Sequence, residues 1–475
     1  MKSNTSTPNT EVKVQKSKKH FSLTNWFTKN EMVQTFGNAW KIADLRKKML
    51  FTLMIVLLYR IGANLYVPFV DIGAIQSNAY ISQLTSGIFG MVNLFSGGAF
   101  EQASLFALSV SPYITASIVM QLLTIAIPAL ERLSKEGDEG KKKINAITRI
   151  VTVALAVITA YGYVKLLDSY GLLLIDKSTN AGMYYLGMVL MVACFCAGAS
   201  IIMWLAEQIN QRGIGNGISI ILFANIISRG GAMFTSMIGM MQDSTGDWLT
   251  GGKLAVGIVE VVLSVVLAIV TVGLIVWFTN SEERIRIQYA KKVVGRKMYG
   301  GQSSNLPLKM NMAGVMPVIF ASSIVSILPT IAGFTKTTSG FYKVVTNYLG
   351  TGTPAYILTY FVLIFAFSYF YIMISFNPVE VANNIKNNGG SIKGYRSGSE
   401  TAAYIKKHLN RITTLGAVFL AVIAGVPMIV GALVPSFVTL AFSGTSLLIA
   451  VGVILEVARD VEAQMKLRNY KGFLD

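Results

Sequence analysis

The chain has 475 residues, 53% of them hydrophobic and 13% charged, with a formal net charge of +18 and a mean hydropathy of +0.55. Soluble domains carry about a quarter charged residues, so the composition excludes a water-soluble globule and indicates a polytopic membrane bundle. Cys194 and Cys196 lie two residues apart in one apolar run, and His20 and His408 lie far apart in basic stretches. Side chains two apart on a helix point to different sides, so no disulfide is expected between the cysteines. Cysteine and histidine this sparse leave a zinc site or a Cys–His nucleophile without support, and no cofactor is implied.

In chain order, the first 48 residues are polar and basic, with no apolar core followed by small residues, so no cleavable signal peptide is expected. Residues 1–20 have the composition of a disordered segment. Met32–Met49 is open between two readings, an amphipathic helix on the membrane face and a solvated basic lead-in. Runs of about 20 apolar residues then follow. They are continuous and not alternating, which points to helices and not to barrel strands. Ten spans are predicted, at about 49–67, 104–128, 147–166, 183–205, 215–240, 254–278, 312–334, 355–375, 412–434 and 437–457. Between the first two lies LTSGIFGMVNLF (Leu84–Phe95), too short to cross a bilayer and closed by the helix-breaking Ser96-Gly97-Gly98.

Charge alternates along the connections. Pro68–Ala103 has no lysine or arginine, Glu131–Arg149 is rich in both signs, and Asp168–Gly182 has only Lys177. Ser281–Gly301 is strongly basic, Gly333–Pro354 has only Lys336 and Lys343, and Asn377–Arg411 and the tail are basic again. The positive-inside rule therefore places both termini in the cytoplasm. Two cytoplasmic loops, Ser281–Lys309 and Asn377–Arg411, are longer and more basic than topology requires and read as docking surfaces for an acidic partner, protein or ribosomal RNA.

Nothing in the chain resembles an engine. There is no GxxxxGK[ST] loop, no HExxH and no GxSxG with a plausible partner histidine. RGIGNGIS (Arg212–Ser219) lacks a phosphate-reaching lysine and is read as a tight turn between two helices. Intramembrane charges are few: Glu260 lies early in the sixth span, and Arg60 either pairs with a neighbour or snorkels outward. The chain reads as a passive conduit or receptor whose energy comes from a partner, and not as an enzyme.

From Lys41 to about Tyr470 the chain resembles the bacterial SecY family of protein-conducting channels. The resemblance is carried in order by YRIGANLYVP, NLFSGGAFEQASLFALSVSPYITASIVMQLL, KEGDEGKKKI, WLAEQINQRGIGNGISII, YAKKVVGRKMYGGQSSNLPLKMNMAGVMPVIFASSI, SFNPVEVANNIKNNGG and FSGTSLLIAVGVILE. It implies an all-α polytopic membrane protein with ten transmembrane helices. They would form two inverted-repeat halves, 41–240 and 241–460, closing like a clamshell on a central pore, between a basic extension at 1–40 and a tail at 461–475. The hinge would be Arg229–Lys253. The non-crossing piece would be a re-entrant plug helix at about 87–100, with Gly87, Phe89, Met91, Leu94, Phe95, Gly97 and Gly98. An apolar pore ring would comprise Val110, Ile114, Leu222, Ile319 and Ile449, with Val110 and Leu222 at positions where the family has isoleucine. Gln121 and Asn311, on spans two and seven, would form a weak polar seam at a lateral gate, and Pro112 and Pro317 would allow those spans to kink. Arg296, Lys297 and Arg396 would dock the motor or the ribosome. Lys297 stands where a second arginine is usual, and YRSGSE stands where a proline-containing turn is usual. The implied partners are SecE, SecG, the SecA ATPase, the ribosome, precursors bearing signal sequences and the lipid bilayer, in the bacterial cytoplasmic membrane. The rival classes are a secondary transporter for a small solute and a poreless insertase or scaffold. Both would stay ion-tight without the plug.

Overall fold

The computed structural model describes residues 37, 39–77, 90–175, 181–239, 252–289, 292–294, 297–299, 303–333, 335, 339–350, 353–433 and 443–471. Each of the ten expected spans falls on helix. In order these are α1 (Ala43–Gly62), α3 (Ser111–Ala126), α5 (Asp138–Ser169), α6 (Ala181–Arg212), the pair α7 (Gly217–Ser228) and α8 (Gly230–Gly239), α9 (Gly252–Asn280), α10 (Met316–Gly333), α12 (Pro354–Ser375), α14 (Ser399–Leu433) and α15 (Ser443–Lys471). Shorter helices are Ile72–Ser77, α2 (Gly90–Ser96), α4 (Pro128–Lys135), α11 (Gly340–Leu349) and α13 (Pro378–Asn387). Among the described residues five helical stretches are long and apolar enough to cross a membrane unaided, and α3 with α4 makes a sixth candidate, bent by 101°. The bend falls at Ile127, whose backbone is extended because Pro128 follows it.

Lys48–Val457 forms one compact unit. Within it α3, α5, α6 and α7 pack in succession, as do α10, α12 and α14, and the two sets meet where α3 lies against α10. The largest apolar cluster draws side chains from α1, α2, α3, α6, α7, α9, α10, α12, α14 and α15. A second cluster lies between α5, α6 and the loops carrying Val70 and Phe100. The other unit joins 1–47 with 458–475. There the lead-in is helical at 39–41, buries Ala39 and Leu45, and exposes Lys41 and Lys47.

The span bundle is helical as expected, but the two long basic loops contain strands. β1 (Glu282–Tyr289) is the centre of a three-stranded antiparallel sheet, with β4 (Ser303–Lys309) on one side and β5 (Gly390–Ile392) on the other; β2 (Lys292–Val294) and β3 (Lys297–Tyr299) form a separate hairpin. The register sets Glu282 opposite Lys309, Gln288 opposite Ser303 and Ile287 opposite Ile392. Ile285, Ile287, Leu308 and Ile392 are buried against Ala382 and Ile385 of α13 and Ile405 of α14. Pro307 is accommodated because β4 is an edge strand.

Candidate channel and docking surfaces

The five aliphatics assigned to the ring converge from four helices. Val110 precedes α3, Ile114 lies on it, Leu222 is on α7, Ile319 on α10 and Ile449 on α15. None is more than 2% exposed, and all belong to the largest apolar cluster together with Leu94 and Phe95 of α2. Aliphatic side chains such as these five offer water no hydrogen-bond partner.

α2 is the described part of the non-crossing piece. Met91 lies in this helix, Leu94 and Phe95 are buried, and Gly87 and Phe89 fall outside the described residues. Gly97 and Gly98 have φ of +66° and +89°, the left-handed backbone that ends the helix and that glycine adopts without penalty. Gly97 also has no room for a side chain, since an added Cβ would lie 2.9 Å from Asn225 Oδ1 and 3.1 Å from Asn225 Cα on α7. Further along, Ala103 and Ser109 also adopt positive φ, which marks the whole turn before α3 as held by its surroundings.

That turn carries a polar network which hydropathy alone did not reveal. Ser109 Oγ donates to the Phe95 carbonyl at 2.7 Å, and Asn225 Nδ2 donates to the same carbonyl. Asn93 Nδ2 donates to Glu101 Oε2 at 3.0 Å, while the Glu101 amide donates back to Asn93 Oδ1 at 3.3 Å. Arg229, just past α7, lies 3.9 Å from the same carboxylate. The sequence signal was present: Asn225 is a lone amide in the run IILFANII, and an isolated polar residue within a span is a functional candidate by default.

At the expected gate, α3, α5 and α10 enclose a cavity of about 200 Å³ reached by Phe95, Pro112, Tyr163, Ser323, Ser326 and Thr330. The three hydroxyls from α10 are satisfied within that helix: Ser323 donates to Ile319 O, Ser326 to Ser322 O and Thr330 to Ser326 O. The expected polar seam is not formed. Gln121 Nε2 donates to Ser117 on its own helix at 3.4 Å, and Asn311 is buried in the turn before α10. Among the described residues no side-chain hydrogen bond crosses from α3 to α10, so apolar packing holds this seam. The prolines correct a second expectation. Pro112 and Pro317 both sit in the first turn of their helices, where the missing N–H has no intrahelical partner to lose and no kink results.

RGIGNGIS is a tight turn, as read. Asn216 caps α7 through Oδ1 to the Ile218 amide, Asn210 Oδ1 accepts from the Gly217 amide, and Thr52 Oγ1 accepts from the Ile214 amide. Nearby, Arg149 on α5 grips Glu207 on α6 with two bonds, Nε to Oε1 at 2.7 Å and Nη2 to Oε2 at 2.6 Å. This planar fork matches a carboxylate and would be lost with lysine.

Of the docking residues, Arg296 lies outside the described residues and Lys297 begins β3. Arg396 is exposed on a turn without proline. Gly394 and Gly398, at φ of +88° and +112°, shape that turn, and the Glu400 carboxylate accepts the Arg396 amide at 3.0 Å. Arg286, Lys386, Lys393 and Arg396 are exposed and, among the described residues, make no ion pair. His408 Nδ1 lies 3.0 Å from Glu283 Oε1 and ties α14 to β1.

The family model described as SecY matches residues 104–458. The protein translocase subunit SecY of Streptomyces scabiei is 44% identical over 93% of this chain and 100% of its own length. The chain belongs to the SecY family. Solved relatives share the fold at low identity. A SecY protein whose plug domain stabilises the closed state of the translocation channel superposes with a TM-score of 0.60 at 17% identity, over 88% of this chain and 92% of that one. Sec61 in a canine ribosome–channel complex superposes with a TM-score of 0.57 at 16% identity, over the same shares. As a member of the SecY family the chain is a multi-pass membrane protein, and the five aliphatics and α2 all lie within Lys48–Val457.

Proposed function

We infer that the chain is the channel subunit of a protein translocase, conducting unfolded polypeptides across the cytoplasmic membrane and releasing membrane segments sideways into lipid. One observation carries the reading: five aliphatic side chains from four helices close on Leu94 and Phe95 of the non-crossing helix in a single buried cluster. A constriction of this kind has no covalent chemistry to perform. It seals by dewetting and widens around a chain. The alternating loop charge supports cytoplasmic placement of both termini, which puts the sheet and its basic residues where a motor or a ribosome docks. SecE, SecG, SecA and the ribosome are the proposed partners. An apolar signal sequence opens the channel by binding the parted state of α3 and α10 more tightly than the closed one.

The test is a trapped intermediate. With Cys194 and Cys196 replaced by serine, a single cysteine at Val110 or Ile449 is expected to form a disulfide with a precursor stalled midway through export. Crosslinks confined to Gln121 or Asn311 would move the path to the gate seam, and no crosslink during active export would return the transporter reading. For the docking surface, Arg396→Glu is expected to reduce SecA-driven export at least about tenfold, because reversing an exposed charge slows electrostatically steered docking, while the protein still accumulates in the membrane. Export at the unmodified rate would remove Arg396 from the contact.

A further inference from the structure

We propose that Asn225 and Ser109 form a two-point latch on the Phe95 carbonyl that sets how readily the non-crossing helix leaves the channel. The proposal rests on reading α2 as the plug. Phe95 is the penultimate residue of α2, and its carbonyl is one of the helix-end acceptors that lack an intrahelical donor. Two side chains supply that donor, Ser109 Oγ from the turn before α3 and Asn225 Nδ2 from α7, and Asn225 Nδ2 also lies 3.4 Å from Ser109 Oγ. Asn225 is fully buried and Ser109 is 1% exposed, so water does not stand in for either bond while α2 is seated. The fit is close on the other side too, because Gly97 lets α2 end directly against the Asn225 backbone.

The geometry makes the two donors redundant for one acceptor. Losing one leaves the carbonyl satisfied by the other, and losing both leaves a buried acceptor with none. The latch is therefore non-additive. The Glu101–Arg229 contact, half-exposed and 3.9 Å long, contributes little beside it. Both donors stay in place when α2 departs and become solvated. The latch thus acts only on the seated state and leaves the widened channel unchanged.

Ion leak through the complete channel complex in proteoliposomes, without precursor, reads the seated fraction. Asn225→Ala and Ser109→Ala are each expected to raise the leak about threefold and the double variant about thirtyfold, more than the product of the singles. In a chain lacking Gly90–Ser96, neither substitution should add to the leak. A purely structural role for Asn225 would add there too, and that result would overturn the latch. A leaking deletion with an unchanged double variant would overturn the latch and leave the plug reading standing, whereas an ion-tight deletion would overturn both. Should the double variant fail to accumulate, outside labelling of Leu94→Cys, in a Cys194→Ser, Cys196→Ser background, reads the same equilibrium in each single variant. A threefold faster reaction is expected, and an unchanged rate rejects the latch.

Discussion

Replacing Ile319 and Ile449 together by asparagine is expected to raise resting ion conductance by about a hundredfold. Both side chains are at most 1% exposed, on α10 and α15, within the cluster that closes on α2. An amide placed there has no partner in the dry state and costs about 1–3 kcal/mol while unsatisfied. Admitting water removes that cost, so two amides shift the balance toward a wetted constriction by about 3 kcal/mol, which is roughly a hundredfold. Planar-bilayer recordings of the reconstituted complex measure it directly. Leucine at both positions, similar in volume and apolar, should leave the seal intact. If the asparagine and leucine variants conducted equally, the cluster would not be the seal.

Gly217→Val is expected to abolish accumulation of folded protein. A Cβ at Gly217 would lie 2.0 Å from the Ala206 carbonyl oxygen and 3.0 Å from the Ala206 Cα, backbone atoms of α6 that cannot turn aside. The turn between α6 and α7 is fixed on every side by Asn210, Asn216 and Thr52, so it cannot shift without breaking those bonds. Overpacking costs of about 1–3 kcal/mol, added to the lost turn contacts, are a large part of a typical domain's stability. Steady-state membrane levels should fall at least about tenfold by immunoblot. Gly231→Ala is the matched control. Nothing lies within 4 Å of a Cβ there, and alanine in a helix is favoured over glycine by up to about 1 kcal/mol, so levels should hold.

Much of this fold was legible because long apolar runs leave few alternatives to spanning helices, and the buried aliphatic cluster was reached through family motifs and not through pattern. Aliphatic residues are abundant in every span, so no local rule distinguishes Ile449 from its neighbours. The second span was drawn too long at its start. Residues 104–110 are apolar enough to continue a helix, but Ser109 takes a left-handed backbone, and the helix begins at Ser111-Pro112, a start signal that a proline in the first turn supplies. The strands of the basic loops were visible in retrospect: Arg284-Ile285-Arg286-Ile287 alternates with period two, and exposure alternates with it. The assignment of Gln121 and Asn311 to the gate comes from the family resemblance, and sequence does not give the distance between residues on separate helices; Gln121 bonds Ser117 on its own helix.

The sheet that joins the two basic loops also bears on mechanics. β1 continues from α9, β4 leads into α10, and β5 sits between α13 and α14, while the Met310 amide donates to Ser281 O at the foot of the hairpin. Strands cross-linked by backbone hydrogen bonds resist sliding, because shear breaks many bonds at once whereas bending breaks them singly. The Gly390–Ile392 segment therefore cannot slide along β1 without rupturing that ladder or carrying Glu282–Tyr289 with it. What the sequence presents as two separate basic loops behaves under load as one stiff handle, rooted in α9, α10 and α14.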